Sequence, residues 1–371
     1  MSITAHTTGT TTVFEERDGH SLEFRNIVLT ARTSPTLPFS KKADANNMKQ
    51  ILHGVSGHVP PRQVTAVMGP SGSGKTSLLK VLTGRVGAKS NKMELSGRVL
   101  LDGSVVDPTN IAVRREIAYV EQEVSIPCTS TPREAIRFSA RLRLDRDLSD
   151  TAINNLVDEI LRELSLEKCA DTMIGGGLLM RESLSGGERK RAQCGVELVT
   201  RPGILICDEA TTGLDSFSAE QFVSVLQRIA KAGASVVLTI HQPPPSVVRQ
   251  LGHLILLRSG RLVYDGAIGD PLLKFFASKG YAKPADFNVS DWILVSAVES
   301  CSFCLHFELT HFCLTVSRVW CNPNHWSTLK RLDSSGRTLS ASVQTVKART
   351  RYFVPRSKRN HLPMKGVREL V

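Results

Sequence analysis

Short apolar runs and stripes of helical period alternate along this chain. Ser21–Val28 reads as a strand, and Ile51–Met68 as two short strands around a turn at Pro60-Pro61. Ser77–Leu82 follows as a helix-like run, then Gly97–Gly103 as a strand closing on an Asp-Gly turn. Ile117–Val120, Gly203–Cys207 and Ser235–Ile240 are nearly unbroken apolar runs, the pattern of strands buried on both faces of a parallel sheet. Between them Ile153, Leu156, Val157, Ile160, Leu161 and Leu164 share one helical face, with Ser149 or Asp150 available as N-cap, and Arg189–Val199 reads as a further helix. Phe222, Val225, Leu226 and Ile229 line another, which Ser218-Ala219-Glu220-Gln221 would open as a capping box and Gly233 would stop. His253–Leu257 and Arg261–Tyr264 form a hairpin around Arg258-Ser259-Gly260. Strands interleaved with helices predict an α/β fold.

The ends and one insertion escape this pattern. Residues 1–20, with the Thr-rich patch Thr7–Thr12, read as disordered, and Ala31–Gln50 as a polar insertion. The 371 residues, 41% apolar, suffice for two domains or for one large domain with a tail. A net charge of +12 looks strongly basic, but residues 327–371 alone hold 11 Lys/Arg against 2 Asp/Glu, so that character belongs to the tail. No run approaches the roughly 18 apolar residues of a membrane span, so no transmembrane helix is expected. Met1–His20 shows no secretory signal, and Cys128, Cys169, Cys194 and Cys207 read as free thiols. Cys301, Cys304, Cys313 and Cys321 crowd together with His306 and His311 nearby, at spacings that fit no regular zinc pattern.

The chemistry concentrates in a few places. Gly69-Pro70-Ser71-Gly72-Ser73-Gly74-Lys75-Thr76 lies between the strand Val64–Met68 and the helix opening at Ser77, the context of a phosphate-binding loop. Its glycines let successive N–H groups converge on one anion, and the helix N-terminus adds positive potential. Lys75 would reach the β- and γ-phosphates, and Thr76 would offer its hydroxyl to Mg²⁺. Leu184-Ser185-Gly186-Gly187-Glu188 puts a second glycine pair at a helix start, a second candidate anion site. The run Gly203–Cys207 ends in Asp208-Glu209, two carboxylates at the carboxyl end of a parallel strand, where a metal would sit. Ser235–Ile240 delivers His241.

In chain order these are a phosphate loop, Gln122 after an apolar strand, L-S-G-G-E, Asp208-Glu209 after four apolar residues, Gly213-Leu214-Asp215, and a strand ending in His241. Together they resemble the nucleotide-binding domain of ABC transporters. G-G-E-R-K-R at Gly186–Arg191, F-S-A-R-L-R at Phe138–Arg143 and I-H-Q-P at Ile240–Pro243 resemble the G subfamily of half-transporters. The resemblance covers residues 20 to 294. It implies a P-loop NTPase fold, a RecA-like core with an antiparallel β portion, and a helical subdomain at about residues 123–199. It implies ATP and Mg²⁺ as cofactors, with Gly69 through Ser77 on the phosphates, Thr76 and Gln122 in the Mg²⁺ shell and Asp208 holding the ion through water. Glu209 would be the general base and His241 the γ-phosphate sensor, with Gln122 beside them. Ser185, Gly186 and Gly187 would contact the ATP of a second such domain packed head to tail, with Gly213, Leu214 and Asp215 along that interface.

Three positions depart from the family's habit. Leu29 stands where an aromatic residue usually stacks on adenine, Ala210 where Pro commonly follows the catalytic Glu, and Arg62 where Gly follows Pro61. Asp286–Leu294 resembles the usual exit from the domain, yet a Cys-, His- and Arg-containing stretch follows instead of a membrane domain. The expected organisation is therefore a disordered start at 1–20, a nucleotide-binding domain at 21–295, and a basic tail at 296–371 that forms no packed domain and binds no specific nucleic acid. The expected function is the ATP-hydrolysing subunit of a transporter exporting a lipophilic substrate, at the cytoplasmic face of a membrane, the chain alone being cytosolic and unable to transport. Two other readings are a soluble ABC ATPase outside transport, which usually carries two such domains or a coiled-coil insertion, and a catalytically idle regulatory isoform.

Overall fold

The computed structural model describes residues 19–32, 48–86, 93–175, 183–284, 288–293, 330–332 and 338–340. The expectations for residues 1–18, for 33–47 of the polar insertion and for most of the tail lie outside these. The chain opens with two long strands, β1 (Leu22–Arg32) and β2 (Met48–Val59), then β3 (Val64–Met68) and helix α1 (Lys75–Leu82). There follow β4 (Met93–Leu101), β5 (Ser104–Val106), α2 (Ile111–Glu116) and β6 (Ile117–Val120). The helical stretch contains α3 (Pro132–Arg143), α4 (Asp150–Glu163) and α5 (Gly186–Leu198). The domain finishes with β7 (Ile204–Cys207), α6 (Ser216–Lys231), β8 (Ser235–Thr239), α7 (Pro245–Val248), β9 (His253–Arg258), β10 (Arg261–Ala267) and α8 (Asp270–Ser278).

Two sheets result. One is antiparallel, in the order β2-β1-β4-β5, and β1 bends through several register shifts against β2, as bulged strands do. The other has the order β10-β9-β3-β8-β7-β6, parallel throughout except for the terminal β9–β10 hairpin. Every residue of β3, β6, β7 and β8 is buried, which explains their continuous apolar runs. One face of this sheet packs Val67, Ile206, Val237 and Ile255 with Leu78 and Leu79 of α1 and with Phe24 and Leu52 of the antiparallel sheet. The other face packs Ala66, Leu205 and Leu238 with Phe222 and Leu226 of α6, in a core that continues into Ile136, Ile160 and Leu164 of the helical stretch.

Local chemistry sets the helix starts, and two differ from the sequence reading. Ser149 caps α4, accepting from the Ala152 N–H. Helix α5 starts at Gly186 rather than Arg189, closed by a reciprocal capping box between Ser185 and Glu188. Helix α6 starts at Ser216 because Asp215, not Ser218, is its N-cap: Asp215 Oδ1 accepts from the Phe217 and Ser218 amides at 3.0 Å each. Ser218 lies inside the first turn and donates its hydroxyl to Asp215 Oδ2 at 2.6 Å. Cys128, Cys169, Cys194 and Cys207 are free thiols. No helix among the described residues is long and apolar enough to cross a membrane. In the tail, Lys330–Leu332 (β11) and Thr338–Ser340 (β12) pair antiparallel with Lys330 opposite Ser340, in a unit separate from the one above.

Candidate active site

The site lies where β3, β6, β7 and β8 end, at the carboxyl edge of the parallel sheet. The loop after β3 turns through positive φ at Gly69, Gly72 and Gly74, and the left-handed Gly74 leads directly into α1. Glycine is required at two of these points by space as well as by φ. A Cβ on Gly69 would come within 2.1 Å of the Leu257 carbonyl oxygen, and one on Gly74 within 2.8 Å of Leu52 Cδ2. Around the loop a cleft of about 360 Å³ is lined by Ile51, Ser71, Gly72, Gly74, Lys75, Thr76, Ser77, Glu209 and His241. Lys75 Nζ donates to the carbonyls of Gly69 at 2.9 Å and Pro70 at 3.1 Å. Burial lowers the Lys75 pKa, against the pull of the Glu209 and Asp208 charges, which raise it.

Asp208 is buried and held by three hydroxyls. Thr239 donates to its Oδ1 at 2.7 Å, Thr76 to the same oxygen at 3.2 Å, and Tyr119 to Oδ2 at 2.9 Å. Burial, then the charge of Asp208 and the bond to it, push the Tyr119 phenol far above its ordinary pKa, and the Arg85 guanidinium sits 4.5 Å over its ring. Glu209 follows in a left-handed backbone conformation, φ 45°, with its N–H fixed on Thr239 Oγ1 at 2.5 Å. Its carboxylate meets Gln122 Nε2 at 2.7 Å on one oxygen and His241 Nε2 at 3.1 Å on the other. The loop, the paired carboxylates, Gln122 and His241 are thus brought together.

The L-S-G-G-E residues sit elsewhere. Leu184 is buried, whereas Ser185 and Gly186 are exposed at the start of α5, and none of the five is among the described residues lining the cleft. Gly213 and Leu214 precede the cap residue Asp215, and Leu214 packs toward Gly186, whose added Cβ would lie 3.1 Å from Leu214 Cδ2. Leu29 does not face the nucleotide cleft: it is buried between the sheets, and Ile51 of β2 is the apolar residue on the cleft wall. Sequence reasoning also missed Tyr119 and Thr239. The available signal was a phenol and a hydroxyl inside otherwise aliphatic strands, groups that need a partner when buried.

The site fits a nucleotide and its metal. The loop is a cradle of amides, the buried Ser73 hydroxyl has no hydrogen-bond partner, and Thr76 with Asp208 offers the hard oxygen donors that Mg²⁺ takes. Phosphate loop, paired carboxylates and an antiparallel β portion packed on a parallel core define an ABC-type ATPase domain.

The comparisons agree. The ABC transporter family model matches residues 52–212. The chain is 39% identical over 251 residues to ABC transporter G family member 13 of Arabidopsis thaliana, covering 66% of this chain and 35% of that protein. It is 37% identical over 257 residues to the ABC transporter ATP-binding protein/permease wht-1 of Caenorhabditis elegans, covering 69% and 37%. It is 38% identical over 275 residues to the mouse broad substrate specificity ATP-binding cassette transporter ABCG2, covering 73% and 40%. The chain therefore spans between a third and two fifths of the length of these relatives. Among solved structures, a nucleotide-free ATP-binding cassette from an ABC transporter superposes with a TM-score of 0.53 at 21% identity, over 70% of this chain and 95% of that one. The dimeric post-hydrolysis cassette MJ0796 bound to ADP and Pi gives a TM-score of 0.53 at 21% identity, over 67% and 99%. The chain carries an ABC transporter ATP-binding domain, of the type found in these G-family relatives.

Proposed function

We propose that this domain binds and hydrolyses MgATP as one half of a head-to-tail pair, and that the pair drives export of a lipophilic substrate through a membrane domain. The observation that carries the reading is the placement of Glu209 between Gln122 and His241, across the cleft from Lys75 and Thr76. Lys75 exchanges its two loop carbonyls for phosphate oxygens, a stronger charge-assisted contact. Thr76 and Gln122 would hold Mg²⁺, with Asp208 doing so through water, and the ion when bound would supply charge neutralisation at the phosphates. Glu209 accepts the proton of the attacking water, and its left-handed backbone and fixed N–H aim the carboxylate without further ordering. His241 shares that carboxylate and reports the γ-phosphate to it.

The start of α5 then serves the nucleotide of the partner domain, which fits the exposure of Ser185 and Gly186 and the absence of Ser185, Gly186 and Gly187 from the described lining of this chain's own cleft. Glu209→Gln tests the whole reading. The amide keeps size and hydrogen bonding but cannot take a proton, so the variant is expected to bind ATP, to lose turnover by about 10²-fold or more, and to accumulate as an ATP-bound dimer in light scattering. Hydrolysis at the unsubstituted rate would remove Glu209 from the role of base.

A further inference from the structure

Away from the nucleotide cleft, the edge strand β2 of the antiparallel sheet meets the β9–β10 hairpin of the other at three side chains that no sequence motif marks. His58 is near the end of β2, His253 begins β9, and Asp265 lies in β10. Asp265 Oδ2 is 3.1 Å from His58 Nδ1 and accepts the His58 N–H at 3.0 Å. Its Oδ1 is 3.3 Å from His253 Nε2. The two imidazoles stand edge to face with centroids 4.7 Å apart, and one donor atom from each of the three residues lies within 4.8 Å of the others. The approach depends on Gly57, where a Cβ would sit 2.7 Å from Phe24 Cζ and 3.2 Å from Asp265 Oδ2.

The bonding inside this cluster is incomplete. His253 is 4% exposed, yet both of its ring nitrogens lack a hydrogen-bond partner, and so does Asp265 Oδ1: the 3.3 Å approach between them is off the hydrogen-bonding direction. Buried polar atoms are ordinarily satisfied, and leaving one unpaired costs about 1–3 kcal/mol. Two imidazoles and a carboxylate that converge while His253 and Asp265 Oδ1 stay unsatisfied have the composition of a transition-metal site. Ligands about 2.0–2.1 Å from a tetrahedral zinc ion lie roughly 3.4 Å apart; each imidazole has one Asp265 oxygen at about that separation, Oδ2 for His58 and Oδ1 for His253, and a small side-chain adjustment from the 4.8 Å spread would gather one donor from each residue around an ion.

We propose that His58, His253 and Asp265 bind a Zn²⁺ ion that pins the antiparallel sheet to the edge of the parallel sheet. Two nitrogens and one oxygen favour zinc over the Mg²⁺ of the phosphate site. His58 is half exposed, which leaves the fourth position to water. The ion ties β2 to the β9–β10 hairpin, elements brought together from distant parts of the chain.

The test is metal titration of the purified full-length chain in excess Mg²⁺, comparing it with His58→Gln and Asp265→Asn. Both substitutions are at accessible or near-isosteric positions, and ATP-analogue affinity serves as the folding control. One equivalent of Zn²⁺ is expected to bind the unsubstituted chain and raise its Tm. In each variant the affinity of that equivalent should fall by more than the roughly 10–100-fold that even an outer-shell partner is worth, and the Tm response should vanish. Co²⁺ substitution separates this site from the cysteines at 301–321, because imidazole and carboxylate ligands give ligand-field bands without thiolate charge transfer. Equal Zn²⁺ affinity and Tm response in all three proteins, or a Co²⁺ complex carrying only the thiolate signature, would overturn the proposal.

Discussion

Replacing Tyr119 with Phe isolates what holds the buried carboxylate Asp208 in place. The phenol donates at 2.9 Å to Asp208 Oδ2, while Thr239 and Thr76 both serve Oδ1, so the variant strips one oxygen of its donor and leaves the other untouched. A hydrogen bond to a charged group contributes about 1.5–3 kcal/mol, and the phenylalanine ring keeps the same volume, so no cavity term is added. For a domain of this size each kcal/mol moves Tm by about 2–4 °C, which gives an expected loss of roughly 3–12 °C. ATP turnover should change less than about tenfold, because Oδ1 retains both of its hydroxyl donors. Thermal and urea unfolding of Tyr119→Phe, Thr239→Val and the double variant close a cycle, with an expected coupling of at least about 0.5 kcal/mol through the shared carboxylate. A Tyr119→Phe protein within about 0.5 kcal/mol of the original, or strictly additive variants, would show that Asp208 is not held in this way.

Lys75→Ala removes the cation that reaches into the phosphate loop and is expected to weaken binding of a fluorescent ATP analogue by more than about 10²-fold; unchanged affinity would refute its assignment. Lys190→Met removes the ammonium that donates to the Gln122 carbonyl. It should lower kcat more than it raises KM, since Gln122 in turn holds Glu209. Hydrogen bonds to Asp215, first from the Ser218 hydroxyl and then from its amide, hold the Asp215 carboxyl below the usual carboxylate range. The unfolded chain then binds the extra proton, so this stabilisation is complete above the ordinary pKa of about 3.9 and is lost as pH falls through the lower folded value. Ser218→Ala should therefore shift the acid limb of a Tm against pH curve to higher pH, and an unmoved limb would contradict it.

Much of the parallel core was legible because β3, β6, β7 and β8 are buried on both faces and are therefore predominantly apolar. The phosphate loop was legible because its chemistry is local: glycines, lysine and threonine act within eight consecutive positions. The surroundings of Asp208 were not, because Tyr119 reaches it across 89 residues and Thr239 across 31, and no local pattern encodes a partner on another strand. The base-side wall shows the same limit. Leu29 and Ile51 are both apolar residues on neighbouring strands, and only the pairing register decides their sides: Leu29 stands opposite Leu52 and both are buried, so Ile51, one residue away, lines the cleft. At α6 two chemically adequate caps stand three residues apart, and Asp215 takes the role because its carboxylate accepts two amides at once.

One further linkage follows from where α5 is anchored. The helix carries Ser185-Gly186-Gly187 at its exposed N-terminus, and about one turn further on Lys190 donates to the Gln122 carbonyl and Gln193 Nε2 to the Glu123 carbonyl at 2.8 Å. Lys190 is nearly buried, and that burial depresses its pKa, so its charge is kept by what it binds rather than by water. The segment it grips is the one whose Gln122 side chain holds Glu209. Helix α5 therefore connects the exposed Ser185 and Gly186 at its start to the carboxylate in the cleft, through two backbone carbonyls and one side-chain amide. The same helix is packed through Ala192, Cys194 and Leu198 into the main core, so its grip on the Gln122 loop rests on a close-packed support.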